Sequence, residues 1–180
     1  MRRTISGMIG AGSLAHNRRD FVAENVDPDR VHLNICYQNE NLKEVYKELF
    51  DDSVERYNVG KRKDRQITNY YEKIRQGKQE KLFHEAIFQI GNMSDCGCGT
   101  PDGERAAAAL KDFAESFAER NPHLRVFNMV LHMDEATAGW GCAPRKLSAN
   151  FFESCRRPFP SGGAAPAVLQ VADLEDRLVK

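Results

Sequence analysis

The chain has 180 residues, 26 basic and 26 acidic side chains, and 41% hydrophobic and 29% charged content. That size suits one domain with a single core, and the zero net charge excludes a uniformly basic nucleic-acid binder. No apolar run approaches a membrane span and Met1 to Gly7 lacks the hydrophobic core of a secretion signal, so a cytoplasmic protein is expected.

Five scattered cysteines argue against a disulfide framework, and Cys96-Gly97-Cys98 is too tightly spaced and too isolated for a zinc knuckle. Thr4 to Met8 form a short strand candidate, followed by the turn Gly10-Ala11-Gly12-Ser13. Glycine lets backbone approach a neighbour closely, so His16 just beyond the turn is reachable. Its residue type and position alone favour an ordinary surface histidine.

Val31 to Tyr37 alternates as a strand with one apolar face. Asn39 or Asn41 can cap the next helix, where Leu42, Val45, Tyr46, Leu49, Phe50, Val54 and Tyr57 make one stripe. Asn58 to Gln66 is a basic linker containing Lys61-Arg62-Lys63-Asp64-Arg65. That run suits a solvated surface and a phosphate contact about equally. Thr68 to Gln76 is a second helix candidate, stopped at Gly77. Leu82 to Ile90 reads as a strand with His84, Ala86, Phe88 and Ile90 on one face and Glu85, Ile87 and Gln89 on the other. His84 could face a site or be a satisfied core histidine, and the pattern favours the second. Gly91 to Gly103 is a loop, and Glu104 to Arg120 a helix ended by Asn121-Pro122.

Leu124 to Met133 alternates as a strand, with Leu124, Val126 and Val130 on one face and His132 continuing it. Asp134 and Glu135 follow in the turn. An imidazole and two carboxylates within four residues can form a divalent-metal or acid/base corner, but spacing alone favours a polar strand end with solvated acids. After Ala138 the character changes. Four of the seven prolines (Pro144, Pro158, Pro160, Pro166) fall there, and Arg156 to Gly163 cannot be a regular element. Val168 to Val179 fits one terminal helix. The alternating pattern as a whole suggests an α+β domain.

His132-Met133-Asp134-Glu135-Ala136-Thr137 resembles the first half of the His-x-Asp-Glu-x-Thr-Pro-His-x-His signature of the plasmid Mob/Pre relaxases, the MobV group of the HUH endonucleases. Ser13-Leu14-Ala15-His16-Asn17-Arg18-Arg19 resembles that family's N-terminal His-Asn-x-Arg motif. Asp27 to Asn34, Tyr70 to Ile74, Phe83 to Glu85 and Asn121 to Phe127 resemble its intervening segments, in the same order. The resemblance covers about residues 1–137. Where the family continues Pro-His-x-His, this chain has Ala138-Gly139-Trp140-Gly141-Cys142. A reading-frame change or rearrangement after Thr137 is the simplest account, and a diverged but genuine segment the alternative.

The resemblance implies a two-layer HUH/relaxase-like α+β domain over residues 1–137, an antiparallel sheet backed by helices, truncated and followed by an irregular tail over 138–180. It implies a relaxase that binds single-stranded or supercoiled plasmid origin DNA and nicks one strand through a covalent 5′-phosphate intermediate. His16 is then the nucleophile, Arg19 the neutraliser of the scissile phosphate, and Glu135 a support for the metal or for His132. Asn17, Arg18, Arg19, Lys61, Arg62 and Lys63 are the implied DNA contacts. His132 is the one recognisable ligand of a divalent manganese or magnesium ion. Tyr70 and Tyr71 are competing nucleophiles, as in other HUH branches. Loss of the His-x-His strand implies an impaired enzyme or a non-catalytic origin-binding remnant; a fragment without a stable fold is the reading outside relaxases. That loss also leaves the Leu124 to Met133 strand with an unpaired edge.

Overall fold

The computed structural model describes residues 5–10, 12–78, 80–91, 96, 100–135 and 146–153. Chain order is β1 (Ile5–Gly10), α1 (Leu14–Asn17), a 3-10 turn (Pro28–Leu33), β2 (Ile35–Asn39), α2 (Leu42–Asn58), a second 3-10 turn (Lys63–Arg65), α3 (Tyr70–Gln76), β3 (His84–Ile90), α4 (Pro101–Glu115), α5 (Phe117–Arg120), β4 (Leu124–His132) and β5 (Lys146–Glu153).

The helices start where short polar side chains satisfy free amides. Asn41, Asn69 and Thr100 accept from the backbone N–H of Lys43, Glu72 and Gly103. The Thr100 cap with Pro101 behind it starts α4 inside the stretch expected to be loop. Ser116 ends α4 early, because its hydroxyl donates to the carbonyl of Asp112 and competes with the helix ladder. The strand expected over Val31 to Tyr37 is displaced. Asp27 caps a 3-10 turn with Pro28 at its start, so β2 begins only at Ile35.

The five strands form one antiparallel sheet in the order β1-β3-β5-β4-β2. The expected α+β architecture, an antiparallel sheet backed by helices, is what the chain adopts. On one face Ala86, Phe88, Ile90, Met129, Leu131, Leu147, Ala149 and Phe151 pack with Leu110, Phe113 and Phe117 of α4 and α5. Phe88, Phe113 and Phe117 meet edge-on, with ring centroids 4.9 to 5.9 Å apart. On the other face Phe127 and Phe152 pack under Val45 and Tyr46 of α2 and Ile74 of α3. Arg125 ties the start of β4 to α2 through a bidentate pair with Glu40 and a bond to Glu48.

Three expectations are corrected. The signature strand has no free edge: β4 lies between β2 and β5, and His132 pairs with Lys146 in register. The stretch 146–153, expected to be irregular tail, is a central strand, because Leu147, Ala149 and Phe151 alternate and fill the core. Second, β4 is bulged: the register shifts between Val126 and Asn128. Val126 therefore faces α4 and α5, whereas Val130 and His132 face the opposite side. Third, His84 is exposed at the start of β3 rather than buried in the core. The suggested helix over Val168 to Val179 lies outside the described residues.

Candidate active site

Beside the α2–α3 cluster, the same sheet face carries a polar strip. Glu85 of β3, Asn150 and Ser148 of β5, and Asn128 of β4 are all buried there. Helix α1 lies over the strip and lowers Asn17 into it. The Asn17 amide donates to Glu85 (3.1 Å), Ser148 (3.0 Å) and Asn128 (3.4 Å). Ser148 also donates to Glu85, and Asn150 to Asn128. Gly12 is needed for this descent. A Cβ there would stand 2.5 Å from Asn150 Oδ1 and 2.9 Å from Glu85 Cβ. The glycine turn thus serves a close approach, but to the sheet.

Past α1 the chain turns sharply at Arg19, whose φ of 57° is left-handed. A side chain rarely adopts that backbone without compensation, at a cost of about 1–3 kcal/mol. Here the turn sends the guanidinium under the helix. Nε and Nη2 donate to the two oxygens of Asp134 at 2.8 and 2.6 Å, and Nη1 to the carbonyl of His16 at 2.6 Å. Nη2 also reaches His132 Nδ1 at 2.7 Å. Asp134 takes a further bond from Asn34 (2.7 Å), and its backbone carbonyl accepts from Asp27. Burial works to raise the Asp134 carboxyl, but the bonds from Arg19 and Asn34 outweigh it and hold it below the usual carboxylate range.

The partners of His132 fix its tautomer. Nε2 faces Asn17 Oδ1 at 3.3 Å, an atom that can only accept, so Nε2 carries the proton. Nδ1 then offers its lone pair to Arg19. Burial, reinforced by the Arg19 charge, pushes the imidazole down to about 3. His132 is therefore a neutral, sealed histidine.

Glu135 joins the two ends of the site. Its Oε1 lies 3.1 Å from His16 Nε2 and 2.8 Å from Lys146 Nζ, and Lys146 also bonds Oε2 at 3.0 Å. Burial acts to raise this carboxyl too, and the Lys146 charge and hydrogen bond, with the bond from His16, bring it below the usual range. The His16 and His132 rings lie 6.0 Å apart, and Phe21, half exposed, stands 6.2 Å beyond His16.

The structure thus brings together His16, Asn17, Arg19, His132, Asp134 and Glu135 from the segment around α1 and the end of β4. Two expected DNA contacts are placed differently. Asn17 is buried in the polar strip, and Arg19 is committed to Asp134 and His132. Arg18 is exposed and bonds Asn39 and the carbonyl of Glu40. Lys61, Arg62 and Lys63 lie apart, between α2 and α3. Tyr70 and Tyr71 pack against the Tyr46 ring at 6.1 and 5.3 Å, and burial pushes the Tyr70 hydroxyl up. Sequence reasoning missed Lys146, Asn34, Glu85, Asn128, Ser148 and Asn150.

The implied divalent ion can be tested against this donor set. A catalytic ion of this kind takes about three protein ligands with free lone pairs. Both ring nitrogens of His132 are engaged, Asp134 is held by Arg19, and Glu135 by Lys146. No group of three His, Cys, Asp or Glu side chains suited to a metal occurs among the described residues. On β5 the two positions that share His132's face and lie beside it are Lys146 and Ser148, neither of them a histidine. The described residues do not fit the ion.

Residues 23–140 match the Mob_Pre family, described as plasmid recombination enzyme, and the chain belongs to that family. The match includes His132 to Glu135, begins after His16 and ends before β5. No curated protein matches the sequence. Among solved structures the chain is similar to the MobM relaxase domain (MOBV; Mob_Pre), crystallised with manganese and 22 nucleotides of oriT DNA from plasmid pMV158. Identity is 18%, the TM-score is 0.47, and the match covers 97% of this chain and 85% of that one. No helix among the described residues is long and apolar enough to cross a membrane.

Proposed function

We propose that the protein is a relaxase-type domain that binds plasmid origin DNA and nicks one strand, with His16 as nucleophile and at a rate below that of a complete relaxase. The observation that carries this reading is the hydrogen bond from His16 to Glu135 in a member of the plasmid recombination enzyme family. Glu135 holds the proton on Nε2 and leaves the lone pair on Nδ1, as a carboxylate does for a catalytic imidazole. Nδ1 attacks phosphorus, an N–P bond forms and the P–O3′ bond breaks. O3′ takes a proton from solvent and leaves as a hydroxyl. The positive imidazole keeps its proton on Nε2 and donates it to Glu135, whose negative charge stabilises it.

Arg19 acts through others in this scheme. It fixes Asp134, His132 and the His16 carbonyl, and so fixes α1. The family resemblance points to a divalent ion, but no step here passes through one, because the described donor set does not fit. That misfit is the reason to expect slow turnover.

The test is to incubate the full chain with a single-stranded oligonucleotide spanning the nick region of its own plasmid origin. Wild type should form a covalent adduct that is stable to denaturing detergent and labile to acid, as an N–P bond is. His16→Ala should form none, while Tyr70→Phe and Tyr71→Phe should retain it. An adduct in His16→Ala that disappears in Tyr70→Phe or Tyr71→Phe would overturn the assignment. Salt-sensitive binding to the oligonucleotide without any adduct is the result expected of a non-catalytic remnant.

A further inference from the structure

We propose that the ammonium of Lys146 is the cation that receives the DNA phosphate in this site, in the place where the family uses a divalent ion. This rests on the nicking or origin-binding function argued above, and it assigns a residue that lies outside the family match and outside every motif.

Accessibility decides which cation a phosphate can meet. The Arg19 side chain is 7% exposed and its partner Asp134 is 0% exposed, so that pair is sealed. His132 is sealed as well. The outer group is different: His16 is 20% exposed, Lys146 18% and Glu135 10%. Of the two cations bonded into the His16–Glu135–Asp134 network, Lys146 is therefore the one that a phosphate at His16 can reach. Both groups bond the same Glu135 oxygen, so the ammonium lies within two hydrogen-bond lengths of the imidazole.

Charge supports the same assignment. Glu135 bonds Lys146, but Lys146 has three donors and a flexible stem, so it can keep that carboxylate and still donate to a phosphoryl oxygen. A divalent ion at this point would face two fixed positive charges, Arg19 and Lys146, and would have to displace one of them from its carboxylate. Register explains why Lys146 stands there. It is paired with His132 on the adjacent strand, and Ser148 is the next residue along that face. The family's two further histidines, two residues apart, would occupy such a pair of positions. Here the first position carries a cation of its own and the second serves the buried Glu85.

Two measurements on the full chain test this. Calorimetric titration with manganese chloride should show no binding to wild type, and micromolar binding would overturn the proposal whether or not the protein acts on DNA. Fluorescence anisotropy with a labelled single-stranded origin oligonucleotide should give the same affinity in EDTA as in manganese. Lys146→Gln should bind several-fold more weakly, and its plot of log affinity against log salt should be shallower by about 0.7, the loss of one phosphate contact on a single strand. Lys146→Arg should restore both. A thermal melt establishes that each variant is folded. A tenfold gain in wild-type affinity on adding manganese, or an unchanged salt slope in folded Lys146→Gln, would sink the idea. A wild type that binds no oligonucleotide under either condition would count against the proposed function, and the calorimetry would still decide whether the site excludes the ion.

Discussion

Strand β5 shows two kinds of surface within eight residues. Leu147, Ala149 and Phe151 point into an apolar layer with α4 and α5, whereas Lys146, Ser148 and Asn150 point into the polar strip under α1. The apolar side removes hydrocarbon from water at about 25 cal/mol per Å², and no particular geometry is demanded. The polar side is the opposite case. Glu85, Asn128, Ser148 and Asn150 are desolvated as fully as the phenylalanines, and their mutual bonds only offset that cost. Asn150 Oδ1 has no partner at all among the described residues. Stability resides on one face and positional order on the other. The strip gains little for folding, but it fixes Asn17, and through it α1 and His16.

Neighbouring substitutions in β5 separate these roles and give the largest expected effect. Phe151→Ala should cost about 3–5 kcal/mol of unfolding free energy, the usual range for emptying a buried aromatic site. Asn150→Ala removes one bond to Asn128 and one unsatisfied oxygen, and should cost about 1 kcal/mol or less. Urea denaturation measures both. If 146–153 were surface tail, both variants would melt like wild type. Equal and small losses would therefore remove β5 from the sheet.

What the sequence revealed followed periodicity. The α2 stripe from Leu42 to Phe50, the two faces of β3 and the cap at Asn41 could be read because each depends on residues within one element, whereas Tyr57, expected on the same stripe, is exposed. The sequence also placed His16 and His132 in one site, but only through the motif resemblance. The failures have physical causes. The Leu147/Ala149/Phe151 alternation was present, but proline-rich surroundings and the end of the resemblance hid it. The bulge at Phe127 leaves no mark, because an extra residue between two apolar neighbours does not change their types. The polar strip draws one or two residues from each of β3, β4, β5 and α1, so no local spacing announces it. Arg19 could be matched to a motif, but its burial against Asp134 needs the positive φ that only the fold supplies.

Acid should expose the cost of the polar face next. Native His132 is held at about 3, against about 6.5 in an unfolded chain. Between those values the unfolded state binds a proton that the native state refuses. Stability must then fall as pH drops below about 6.5, by up to about 1.4 kcal/mol per unit for one proton. Asp134 and Glu135 are depressed carboxylates, so their contribution is present above about pH 4 and is lost as pH falls below it. The two effects act in the same direction in different windows. Melting temperature should decline first between pH 6.5 and 4.5, and His132→Gln should remove that first decline while leaving the later one. A wild-type melting temperature that stays flat from pH 6.5 to 4.5 would mean that His132 is not buried as a neutral group.

The smallest effect belongs to the basic run between α2 and α3, which is the surface counterpart of the buried site. Lys61 lies over the Tyr57 ring, and Arg62 pairs loosely with Asp64 at 3.3 Å, with both side chains well exposed. An exposed pair of that kind contributes about 0–1 kcal/mol, so Arg62→Glu with Lys63→Glu should leave the melting temperature nearly unchanged. Any contribution of the run is to DNA. Each phosphate contact on a single strand adds about 0.7 to the salt slope, so the double reversal should flatten the slope by up to about 1.4 and weaken binding without altering adduct formation per bound strand. Lys146→Gln differs in kind, because it should reduce both binding and adduct formation. An unchanged slope in the double reversal, with a lowered slope in Lys146→Gln, would confine phosphate recognition to the sheet and leave the run as solvated surface.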